Sequence, residues 1–99
     1  MSYREMEHAG GDIRVLTGTT SSTVDSSVSV ALPTGFTSSN TVIIGLQLEV
    51  GGQWRAYGTY TTAVPVVATA MLSGSNAYVT TRQASAGGIP FKITVYKYE

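Results

Sequence analysis

The chain of 99 residues contains no cysteine, which excludes disulfide bonds and thiolate metal sites. Its one histidine is His8, so the many Ser and Thr hydroxyls further along have no imidazole beside them to act as a base. Charge is scarce. Six basic and six acidic side chains make up 12% of the residues, half of the usual ~25%, and they cancel. Without a basic excess there is no electrostatic footprint for nucleic acid or an anionic membrane. No apolar run approaches the ~20 residues that a spanning helix needs. The first residues, MSYREMEHAGG, are charged where a secretory signal is apolar. Gly51-Gly52 and Gly87-Gly88 lack the lysine and helix that follow the glycines of a phosphate-binding loop.

Carboxylates are equally sparse. A glycosidase needs two converging across a cleft, and beyond Asp12 only Asp25, Glu49 and Glu99 remain. Glu49, beside a hairpin turn, reads as a solvating charge. A metal site needs clustered ligands, and the one cluster is His8 with Glu5, Glu7 and Asp12. It reads as a solvated charged leader, and an ion would fit there only if three copies of His8 met on an axis. The chain reads as no enzyme, with no cofactor and no metal.

Hydrophobic residues at 42%, eleven glycines and an abundance of Ser and Thr fit an all-β chain with polar, weakly charged outer faces. Residues 12–99 have the length of a single domain with a modest core. Residues 1–11 read as a leader, or as a neck in which Tyr3, Met6 and Ala9 recur every three residues. So little charge leaves a lone monomer weakly protected against association, which favours a stable oligomer.

Period-two alternation marks about seven strands at roughly ten-residue spacing, the pattern of an antiparallel β-sandwich, jelly-roll-like. The clearest is the hairpin at 42–60. Val42, Ile44, Leu46, Leu48 and Val50 form one apolar face, and Trp54, Ala56, Gly58 and Tyr60 alternate on the return. A two-residue Gly51-Gly52 loop sets Leu48 opposite Arg55 and mixes the faces. A three-residue loop, Val50-Gly51-Gly52, sets Leu48 opposite Trp54 and Leu46 opposite Ala56, and the hydrophobic pattern selects it. A first strand covers Asp12–Leu16, followed by a loop at 17–23. In the second, Val24–Leu32, the residues Val24, Val28, Val30 and Leu32 face inward with only Ser26 breaking the apolar series, and Asp25, Ser27, Ser29 and Ala31 face out. Pro33-Thr34-Gly35 ends it, and Phe36 tucks back onto the core. Ala63–Leu72, with Pro65 inside, reads as a strand, as does Ala77–Arg82, and Gln83–Gly88 reads as a loop. In the last strand, from Pro90, Phe91, Ile93 and Val95 face the core and Tyr96 and Tyr98 the other side.

What remains is binding, for which aromatics with polar tips are suited. Trp54 and Tyr60 read as core. Tyr57, Arg55 and Gln47 share the opposite face of the hairpin and are the candidate ligand-binding residues. Arg82 and the loops at 17–23 and 83–88 form a candidate rim.

Three segments carry a resemblance. VSVALPTGFTSSNTVIIG (28–45), QWRAYGT (53–59) and IPFKITVYKYE (89–99) resemble the C-terminal tip domains of bacteriophage and prophage tail or head fibre proteins. The first is similar to their strand, Leu-Pro-x-Gly-Phe/Tyr and Ser/Asn-rich link, the second to their Trp-containing return strand, the third to their closing strand. The resemblance implies a small β-sandwich, usually a homotrimer, placed in the virion. Such a domain contacts a host-surface glycan or protein, or caps a fibre shaft. It carries over no catalytic or binding residues. Two other readings remain: a capsid or tail decoration or adaptor protein that binds other virion proteins, and a monomeric carbohydrate-binding module.

Overall fold

Side chains that alternate between apolar and hydroxyl-bearing must be buried on one side only, and two such sheets cover each other. The computed structural model describes residues 12–56 and 68–98. It contains strands β1 (Asp12–Thr19), β2 (Ser27–Ala31), β3 (Thr41–Val50), β4 (Gln53–Ala56), β5 (Ala68–Ser73), β6 (Asn76–Thr81) and β7 (Pro90–Lys97). All pairs are antiparallel, in a four-stranded sheet of order β1-β7-β3-β4 and a three-stranded sheet of order β2-β6-β5. Among the described strands the first pairs with the last and the second with the next to last, the nested winding of a jelly roll, while β3 and β4 stay together as a hairpin. The expected all-β sandwich is what forms.

β7 is the centre of the larger sheet, and its Phe91, Ile93 and Val95 are fully buried. Opposite them lie Ala77 and Val79 of β6, Ala68 of β5 and the partly buried Val28 and Val30 of β2. Phe36 closes one end at 3% exposure. It follows a turn in which its N–H donates to the Pro33 carbonyl (2.9 Å) and Gly35 takes φ 90°, the left-handed position of a type II turn. The Arg14 guanidinium and the Lys97 ammonium lie 5.5 and 5.7 Å from its ring centroid. Thr20 stitches the other end, donating to the Ala86 carbonyl (2.5 Å) and accepting from the Ile89 N–H (3.0 Å). Among the described residues no buried side-chain nitrogen or oxygen lacks a partner.

Several expectations are corrected. β1 runs three residues past Leu16, to Thr19 opposite Pro90. β2 begins only at Ser27, so Val24 is not on its inner face and is 42% exposed. The 83–88 loop contains a 3-10 turn, Ala84–Ala86, whose Ala86 is buried. Of the segment 63–72, the part from Ala68 is strand, and 63–67, with Pro65, lie outside the described residues.

The hairpin departs most. A bulge between Ile43 and Gly45 switches the face of β3. Thr41 and Ile43 point inward before it and Leu46 and Leu48 after it, while Val42 and Ile44 stand outside. One extra residue on the bulged strand does this. The turn is the two-residue Gly51-Gly52 loop, with φ 61° and 80°, so Leu48 faces Arg55 and Glu49 faces Trp54. Positive φ at both positions is the type I′ geometry, whose twist matches that of the flanking strands. Face matching does not oppose it, because β4 overhangs: the smaller sheet places β2 beneath β1 and β5 beneath β3, and no described strand beneath β4.

A Cβ built at Gly18 lies 2.6 Å from Phe91 Cζ and 2.9 Å from Cε2, and that ring is fully buried and cannot yield. Gly18→Ala is therefore expected to cost about 1–3 kcal/mol by urea unfolding. Gly45→Ala, whose Cβ meets Thr94 at an ordinary 3.7 Å, is expected to stay within about 0.5 kcal/mol of wild type.

Candidate functional site on the sheet faces

The hairpin residues expected to share a face do not. Gln47 is exposed on the outer face of the larger sheet, opposite Lys92 and Ala56. Arg55 is opposite Leu48, so it belongs to the inner side. Its guanidinium donates to the Val50 carbonyl (3.4 Å) and to Gln53 Oε1 (3.1 Å), holding its own hairpin. Arg82 is on the other sheet, donating to Thr69 Oγ1 (3.2 Å) and pairing with Asp25 (3.0 Å). Tyr57 and Tyr60 lie outside the described residues. The two-residue turn is the cause: it moves Arg55 by one position relative to β3, and one position reverses a strand's faces. Trp54, read as core, is half-buried on the outer face beneath Lys92, whose ammonium is 4.2 Å from the ring centroid.

The outer face of the smaller sheet is more coherent. Since Val28, Val30, Ala77, Val79, Ala68, Ala70 and Leu72 turn inward, the alternate residues form three rows across the sheet. They are Ser27, Thr80 and Thr69; then Ser29, Tyr78 and Met71; then Ala31, Asn76 and Ser73. Ser27 Oγ and Thr80 Oγ1 hydrogen-bond at 2.6 Å. No Asp, Glu, Lys, Arg or His occurs in these three strands, and the nearest charges are the Arg82–Asp25 pair at one corner. Tyr78 stands between Ser29 and Met71, which is 57% exposed, and an aromatic ring beside an apolar side chain and amid hydroxyls suits stacking and hydrogen bonding to a neutral polar ligand. The hydroxyl row of β2 was legible in the sequence, but the central position of Tyr78 follows only from the β2-β6-β5 order.

The outer face of the larger sheet is of the opposite character. Ile13, Val15, Val42 and Ile44 are 57, 56, 43 and 54% exposed, and with Tyr96 and Thr94 they span three adjacent strands. Tyr98, also exposed, donates its hydroxyl to the Ser39 carbonyl (2.8 Å). A cleft of about 370 Å³ between the sheets is lined by Ile43, Gly45, Leu46, Thr69 and Ala70, which supply no acid, base or thiol.

Among the described residues no three His, Cys, Asp or Glu side chains gather to hold a metal ion. Of the His8 cluster only Asp12 is described, and its carboxylate pairs with Arg14 at 2.7 Å. Among the described residues no helix is long and apolar enough to cross a membrane. Compared with known proteins, the chain matches no family model, no curated protein and no solved structure.

Trp54 is the only tryptophan, so its fluorescence reports on the face assignment. Acrylamide and iodide are both expected to quench it in the folded protein, and Lys92→Met to weaken iodide quenching while sparing acrylamide quenching, because a nearby cation concentrates anions. A tryptophan packed beside Leu48 would be reached by neither quencher.

Proposed function

We propose that the chain is a non-enzymatic module of a bacteriophage-type virion: the tip domain of a tail or head fibre, assembled as a homotrimer, that contacts the host cell surface. The observation that carries this reading is the uncharged, hydroxyl-lined outer face of the smaller sheet with Tyr78 at its centre. It suits a neutral polar surface, and its three strands carry no carboxylate, imidazole or amine. The likeness of residues 28–45, 53–59 and 89–99 to fibre tips supports the same reading. The ligand is a host-surface glycan, read by stacking on the Tyr78 ring and by hydrogen bonds from Ser29, Asn76 and Thr80.

A second reading is supported by the larger sheet. Exposed Ile13, Val15, Val42 and Ile44 suit a protein partner, as in a capsid or tail adaptor that binds other virion proteins. A monomeric carbohydrate-binding module would share the Tyr78 face and dispense with the apolar one.

On an array of neutral oligosaccharides the wild-type chain is expected to bind, and Tyr78→Ala to lose on the order of tenfold in affinity, the size of one aromatic contact. Far-UV circular dichroism should stay unchanged, since Tyr78 is outside the core. An empty array together with tight binding to purified tail or capsid proteins would select the adaptor reading.

A further inference from the structure

The two outer faces should not be equally wet. That of the smaller sheet carries mostly hydroxyls, with Met71 as its one large exposed apolar side chain, whereas on the larger sheet four, Ile13, Val15, Val42 and Ile44, lie around Tyr96 and Thr94 across β1, β7 and β3. A contiguous apolar patch of this kind is uncommon on a monomeric soluble protein and marks an interaction surface. It is also a consequence of the bulge, since without the switch at Ile43–Gly45 Ile44 would share the inner face with Leu46.

We propose that this face packs against a second copy of the same chain. Three observations select a copy over a foreign partner. The six basic and six acidic side chains leave the chain without net charge, so like molecules approach each other unopposed. The charged groups of the face, Lys92 and Glu49, lie at its far end, beside Trp54, and are one of each sign. The face therefore complements itself and does not ask for a partner of opposite charge. The area also fits. Four strands about 4.8 Å apart and about eight residues of ~3.3 Å each give a face on the order of 500 Å². Two such faces bury on the order of 1,000 Å², the lower bound of a specific interface. A face that complements itself closes at two copies, so this contact makes a pair and stands on the sheet face alone; the trimer of the fibre-tip reading would need a further contact elsewhere on the chain.

The test is light scattering of the full chain over a dilution series, with two charge variants. Wild type and Val24→Lys, which alters an exposed valine in the β1–β2 loop, are expected at an even multiple of the 10.4 kDa chain mass. Val15→Lys is expected to fall to the single-chain mass with its circular dichroism intact. Because the chain has no cysteine, a second readout avoids any misfolding of that variant. A thiol from Val15→Cys should react several-fold more slowly than one from Val24→Cys while the protein is assembled, and equally fast on dilution to single chains. A wild type that is monomeric throughout overturns the proposal, whether the thiol at 15 is open, as for a foreign partner, or protected, as for cover by another part of the same chain. Assembly that Val15→Lys leaves intact, with a fast-reacting thiol at 15, overturns it as well. The attachment reading fails separately: an assembled protein without a glycan ligand loses that reading and keeps this interface, and a monomer that binds glycan does the reverse.

Discussion

The packing of Phe91 over Gly18 is the contact on which the rest of the sandwich depends. The ring is fully buried and occupies the space where any other residue at position 18 would place its Cβ. It stands on β7, which pairs along its whole length with β1 and along most of it with β3. The strand that supplies the centre of the core therefore comes last in the chain, and it must insert between strands that precede it by tens of residues. Closing such loops costs entropy before the burial of Phe91, Ile93 and Val95 compensates. Folding of this domain is consequently tied to its C-terminal strand more than to any local hairpin. Gly18 is what lets that strand lie flush against β1.

The inequality of the two sheets follows from this arrangement. With β7 placed between β1 and β3, β4 can only be the outer strand of the four-stranded sheet, and among the described strands it approaches the three-stranded sheet less closely than β1 and β3 do. The inner side of β4 can then carry Arg55, and its outer side Trp54 under Lys92. The overhang frees the hairpin from the demands of the core, so the local preference of Gly51-Gly52 for a type I′ turn decides the register. Where a strand lies over the other sheet, burial decides; where it does not, the turn does.

That division also explains how much could be read in advance. β2, β6 and β7 are covered on one face along their length. There the alternation gave the correct inner residues from Val28 to Leu32 and from Phe91 to Val95, together with the tucked Phe36. The same reasoning failed at the hairpin for two physical causes. The run of apolar residues from Val42 to Val50 is apolar at odd as well as even positions, so it could not reveal a bulge that exchanges them. Matching Leu48 with Trp54 presumed a core on the inner side of β4 that the described strands do not provide. The expected grouping of Arg55 with Gln47 fell with that register. The Tyr78 face was not visible as a unit because its three strands are brought together by topology, and spacing along the chain does not express it.

The proposed assembly through one face and the proposed attachment through the other are physically compatible. The faces lie on opposite sides of the sandwich, so copies joined through Ile13, Val15, Val42 and Ile44 leave the Tyr78 rows directed outward. A flat site with one central ring and a set of hydroxyls has few groups to desolvate and little depth, so a single copy that binds as proposed would hold a sugar weakly. Two copies packed through these faces direct their Tyr78 rows to opposite sides, so one surface would meet one row and leave the other open to a second surface. The near absence of charge throughout the chain opposes neither proposed contact: like chains approach without repulsion, and the Tyr78 rows meet a neutral ligand without a charge to desolvate.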